Sequence, residues 1–128
     1  MAEMSEAERV VRDMCAAFEK HDAEALRPFF TDDIVYHNIP MDPAVGIDEA
    51  IAFLHGFFGM CESLLIENLH VAVRDNIVLT ERIDTITVGD RVGPLPVMGT
   101  FEIRDGLICA WRDYFDMAQI TAMLSGEG

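Results

Sequence analysis

Basic residues are scarce in this chain. Nine Lys and Arg stand against twenty-three Asp and Glu, a formal net charge of −14 at pH 7. Nucleic acid needs a basic footprint for its phosphates, so nucleic-acid binding is excluded. The same charge argues against an anionic membrane surface and against acidic substrates, which leaves a neutral small molecule as the expected partner. Cysteine is scarce and odd in number: Cys15, Cys61 and Cys109, with no C-x-x-C and no other metal-ligand spacing. Reduced thiols, no bound metal and a cytoplasmic protein are expected. The histidines His21, His37, His55 and His70 have no mutual metal spacing, and surface or structural roles are expected of them. No apolar run approaches the roughly 20 residues that span a bilayer. Met1–Glu8 is acidic and holds no apolar run, so no signal peptide is read there. Repeats, low-complexity tracts and linkers are absent. The 128 residues are expected to form one domain spanning 1–128.

The hydrophobic fraction is 51% against 25% charged, enough for a real core. Eight Phe and eight Met are many for this length. They suit a core, with the methionines as padding, and a Phe/Met-rich chain also suits an apolar cavity. Ser5 and Glu8 have capping-box spacing, and Val10, Val11, Met14, Cys15 and Phe18 continue at helical spacing into a first helix of about 16 residues. Asp22 is placed to cap a short helix through Phe30. Ile34–Asn38 reads as a strand, broken by Pro40 and Pro43. A helix is predicted from Asp48 to Cys61. Strands follow at Leu64–Arg74 and Ile77–Val88. A segment passing Pro94 and Pro96 becomes regular by Val97–Arg104. Asp105-Gly106 is the strongest hairpin signal, leading into Leu107–Phe115. Asp116–Leu124 reads as a closing helix. Helices followed by an antiparallel meander make an α+β fold, a curved sheet with helices on one face and a ligand pocket between them.

Strand alternation sorts the polar residues. Val78, Thr80, Arg82, Asp84 and Ile86 share one face. Leu107, Cys109, Trp111, Asp113 and Phe115 share another, and Ile34, Tyr36 and Asn38 a third. Alone, each pattern is ordinary. Arg-x-Asp on a strand is usually a solvated pair, and Tyr-x-Asn before a proline loop is usually turn chemistry. An inward Asp113 needs a partner, and Arg82 is a candidate. Leu95, Val97 and Phe115 are candidates for an apolar wall, with Ile86 beside them. Trp111 is read as core, with the pocket mouth as the other possibility.

Together, Tyr36-His37-Asn38-Ile39-Pro40, Glu81-Arg82-Ile83-Asp84 and Trp111-Arg112-Asp113-Tyr114-Phe115-Asp116 resemble the three signature segments of limonene-1,2-epoxide hydrolases, in the same order. The stretch Pro96–Gly99 resembles that family too, and the likeness covers nearly the whole chain. It implies a six-stranded curved mixed sheet with about four helices, cone-shaped around a deep apolar pocket, in the nuclear-transport-factor-like superfamily. It also implies a homodimer and a cofactor-independent enzyme. By the resemblance, Asp113 matches the general base, and Tyr36 and Asn38 the residues that hold the attacking water with it. Asp84 matches the general acid and Arg82 the bridge between the two carboxyls. None of these five positions is substituted.

The chemistry suits the groups. An epoxide is a poor electrophile towards neutral water, so a base on the water and a proton for the ring oxygen both help. One carboxyl must be ionised and the other protonated at the same pH, which differing surroundings arrange. Two other readings remain. A ketosteroid-isomerase-like enzyme, dehydratase or polyketide cyclase would share the cone, and an isomerase would also use an Asp base and a Tyr donor. A non-catalytic small-molecule-binding module would share it too.

Overall fold

The computed structural model describes residues 3–125. Helix α1 (Glu6–Ala17) starts where Ser5 accepts a hydrogen bond from the Glu8 amide at 3.1 Å. The reciprocal half of the capping box is not made. The Glu8 carboxylate turns to Arg12 one turn on, at 2.7 Å. The expected 16-residue helix tightens after Ala17 into a 3-10 turn over Phe18–Lys20, ended by His21 with φ 52°. Asp22 does cap the next element, but Ala23–Phe29 is 3-10 rather than α, with Pro28 inside it. Helix α2 (Ile47–Phe58) starts at Gly46 and stops three residues short of the expected Cys61. The His21 ring explains the stop: its Nε2 lies 2.8 Å from the Phe58 carbonyl and 2.9 Å from that of Cys61. It holds the free carbonyls at the helix end.

Six strands make one open sheet: β1 (Phe30–Asn38), β2 (Ala44–Val45), β3 (Ser63–Arg74), β4 (Ile77–Val88), β5 (Arg91–Arg104) and β6 (Leu107–Tyr114). Their order is β2-β1-β6-β5-β4-β3, with β1 and β6 parallel and every other pair antiparallel. The expected mixed, mainly antiparallel sheet is therefore present. Helices α1, α2 and α3 (Met117–Ser125) and the 3-10 runs cover one face. The core lies between, with Val11, Met14, Leu26, Ile34, Val78, Phe101 and Ile108 fully buried.

Three expectations are corrected here. Strand β5 begins at Arg91, not Val97, and runs straight through Pro94 and Pro96. Its ladder to β4 is continuous there, while β6 pairs only from Met98 onward. The proline nitrogens thus sit on a free edge, where a missing N–H costs no ladder bond. Strand β6 carries a bulge: Ile103 pairs with Ile108 and Glu102 with Ala110, which leaves Cys109 extra. Leu107 and Cys109 therefore do not share the face of Trp111 and Asp113. Ile108 does, and it is fully buried. Methionine is not general core padding either, since Met4, Met60, Met98 and Met117 are exposed while Met14 is buried.

Candidate active site

The inward row of β4 carries Thr80, Arg82 and Asp84, all buried. Arg82 is the centre of the arrangement. Its Nε donates to Asp84 Oδ1 at 3.0 Å and its Nη2 to Asp84 Oδ2 at 2.7 Å. Its other edge donates from Nη1 to Asp113 Oδ1 and from Nη2 to Asp113 Oδ2, both at 2.9 Å. One guanidinium thus holds two carboxyls bidentately, the geometry that favours Arg over Lys. Thr80 Oγ1 takes the remaining Nη1 hydrogen at 3.5 Å. The Trp111 indole donates to Asp113 Oδ1 at 2.7 Å, fixing that carboxylate from a second direction.

Topology brings these groups together from distant parts of the chain. The parallel register of β1 on β6 sets Asn38 beside Asp113 and Tyr36 beside Trp111. Tyr36 stacks on Trp111 with ring centroids 4.3 Å apart, and Phe53 of α2 meets it edge-on. Tyr36, Asn38, Asp84 and Asp113 all line one cavity that opens to solvent. Arg82 stands behind the two carboxyls, with no side-chain surface exposed. Leu95, Val97, Phe115, Ile86 and Trp111 line the cavity, and Trp111 is core and wall at once, 1% exposed.

Further wall residues were not anticipated. Phe18 comes from the turn after α1, Phe53, Leu54 and Phe57 from α2, Leu64 and Ile66 from β3, and Ile120 from α3. An apolar stripe at helical spacing was visible for Phe18, but a stripe does not say whether it faces packed core or open space. Met41 reaches the cavity from the loop after β1, whose carbonyl accepts from His37 Nε2 at 2.9 Å.

Burial raises the Asp84 carboxyl above its usual range, with the Asp113 charge adding and Arg82 opposing. Burial also works against the Arg82 charge, but the two aspartates outweigh it and hold the guanidinium protonated. With both acids ionised the trio carries one net negative charge, and a proton on Asp84 cancels it. Burial pushes the Tyr36 phenol far up, so it stays a neutral donor and acceptor. Burial pushes the Cys15 thiol, behind this site, up to about 12, which leaves it no nucleophile. Among the described residues no three His, Cys, Asp or Glu side chains gather as metal ligands, and no helix is long and apolar enough to cross a membrane.

Fold and site together define a cone-fold enzyme, with an apolar hole and a carboxyl–guanidinium–carboxyl unit set in its wall. The sequence profile described as the limonene-1,2-epoxide hydrolase catalytic domain matches residues 5–125. The epoxide hydrolase EphG of Mycobacterium tuberculosis is 30% identical over 101 residues, 79% of this chain and 67% of that protein. The structure of an M. tuberculosis limonene-epoxide-hydrolase-like epoxide hydrolase superposes with TM-score 0.82 at 29% identity, covering 98% of this chain and 94% of that one. An NTF2-like protein of Burkholderia pseudomallei shares the fold at TM-score 0.85 and 18% identity, over 95% of this chain and 99% of its own. The chain belongs to the limonene-1,2-epoxide hydrolase family, and it is an epoxide hydrolase.

Proposed function

We propose that the enzyme adds water to a small, neutral, apolar epoxide in one step, by general acid and base, giving a vicinal diol. Asp113 takes a proton from a water held by its carboxylate, Tyr36 and Asn38. Asp84, whose protonated form burial favours, gives its proton to the ring oxygen as the C–O bond breaks. Arg82 holds both carboxyls in line and offsets the charge left on Asp84. The reaction as written needs neither metal nor organic cofactor. The carrying observation is the single guanidinium that grips two buried carboxyls, both of which face the same greasy cavity. An isomerase site built from an Asp base and a Tyr donor has no need of that bridge.

The cavity wall supports the substrate class, since its polar residues are confined to the catalytic cluster. The enzyme works in the cytoplasm, where free Cys15, Cys61 and Cys109 stay reduced. It works there as a homodimer, joined through the bare face of the sheet.

Single turnover in oxygen-labelled water tests the mechanism. The new oxygen comes from solvent, and label appearing first in an enzyme carboxylate would show an ester route instead. In the same assay Asp113→Asn and Asp84→Asn each lower diol formation by roughly 10²–10⁴-fold while circular dichroism stays unchanged. A folded variant with full turnover removes that residue from the mechanism.

A further inference from the structure

Gly99 lies in the middle of β5, in one row with Thr80 of β4 and Asp113 of β6. It is not one of the glycines with positive φ, which are Gly46, Gly89 and Gly106. Backbone freedom does not explain it, and glycine inside a strand is less stable there than alanine. Space does explain it. A Cβ at this position would stand 2.8 Å from Asp113 Oδ1 and 2.8 Å from Thr80 Oγ1, and it would collide with Arg82 Nη1.

The tip of a flexible side chain ordinarily gives way cheaply. Gly93 shows that case in the same strand, because the atom above it is the free end of Met123. Over Gly99 nothing is free to move. The Arg82 guanidinium is tied to Asp84, Asp113 and Thr80, and Asp113 is tied in turn to Trp111. The Thr80 hydroxyl donates back to the Gly99 carbonyl at 3.4 Å.

We propose that Gly99 is a positioning residue: its missing side chain is the notch in which the Arg82 guanidinium lies, and so it sets the grip of that guanidinium on Asp113. The proposal rests on the acid–base reading above. It adds a residue that touches no substrate and acts through Arg82.

A double-mutant cycle tests it. Gly99→Ala lowers kcat on the order of 10²-fold, the cost of misplacing a catalytic group by about an ångström. KM stays within about threefold, because the apolar wall is untouched. In an Arg82→Ala background, which has no guanidinium to displace, the same substitution changes kcat by less than about threefold. Equal losses in both backgrounds overturn the proposal, as does a folded Gly99→Ala enzyme with wild-type kcat. Thermal melts give a second cycle that needs no substrate and carries the test if activity is too low to measure. Gly99→Ala lowers Tm in the wild-type protein and not in the Arg82→Ala protein, while equal drops refute the notch. If the wild-type protein opened no epoxide, the acid–base reading would fail, and the melts would still decide the role of Gly99.

Discussion

Asp84 and Asp113 bear the same functional group and share one cation, yet they meet different surroundings. Asp84 lies between apolar neighbours on β4 and β5, where burial lifts its carboxyl above the usual range. Asp113 receives the Trp111 indole hydrogen as well as two from Arg82. A consequence in pH follows for Asp84. Its folded value lies above its unfolded one, so the folded protein binds the extra proton between the two. Stability is then full below the unfolded value, near 4, and declines as pH rises through the folded one. On the proposed mechanism activity falls on the same alkaline side, because Asp84 has lost the proton it would give. Asp84→Asn should flatten the decline in Tm across that window, measured by thermal melts at stepped pH. An unchanged slope would place the titration elsewhere. Alternation set the residues of the three polar segments on strand faces, and only the resemblance of the segments together to limonene-1,2-epoxide hydrolases marked them as a site. The indole bond to Asp113 was not legible, since it depends on a rotamer of Trp111.

At the scale of elements, hairpins were the easiest features to read. Asp105-Gly106 turns β5 into β6 with φ 54° and 78°, the left-handed pair that a two-residue turn of this type requires. Gly106→Ala strains that turn, and its methyl would also approach Glu6 Oε1 at 2.8 Å. The cost is about 1–2 kcal/mol, a drop of a few degrees in Tm. A melt identical to wild type would refute the strain. The Cys109 bulge was not legible, because alternation assumes an unbroken period of two. Glu102 and Cys109 meet across strands, and the Cys109 thiol donates to the Glu102 carbonyl at 3.4 Å. The prolines of β5 misled for a related reason. Whether a strand edge is free depends on how far the neighbouring strand extends, and local sequence does not carry that.

Across the whole molecule, the sheet has two unlike faces. Its inner face holds the cavity, and its outer face leaves Leu65, Leu79, Met98 and Tyr114 between about two-fifths and one-half exposed. Scattered apolar surface is normal, but these residues span four adjacent strands. The homodimer proposed above would cover this face. Leu79→Asp with Met98→Asp should convert a particle of twice the chain mass into monomers in sedimentation equilibrium. A wild-type protein that sediments as a monomer removes the dimer. The net charge of −14 would suit the neutral substrate proposed above, which needs no attraction from a distance.

By itself, the sequence determined the α+β class, the faces of β1 and β4, the tight turn at Asp105-Gly106 and the candidate acids with their cation. The class, the strand faces and the turn follow from periods of two and of about four residues or from the backbone preferences of single residues, whereas the acids and their cation were picked out by the resemblance of three segments to limonene-1,2-epoxide hydrolases. Only the tertiary structure decided that Arg82 grips both carboxyls at once. It alone placed residues from the helices around the hole, shifted β6 at Cys109 and left Gly99 bare beneath the guanidinium. Each of these depends on how separate elements meet, through strand register and side-chain volume, and no local pattern records either.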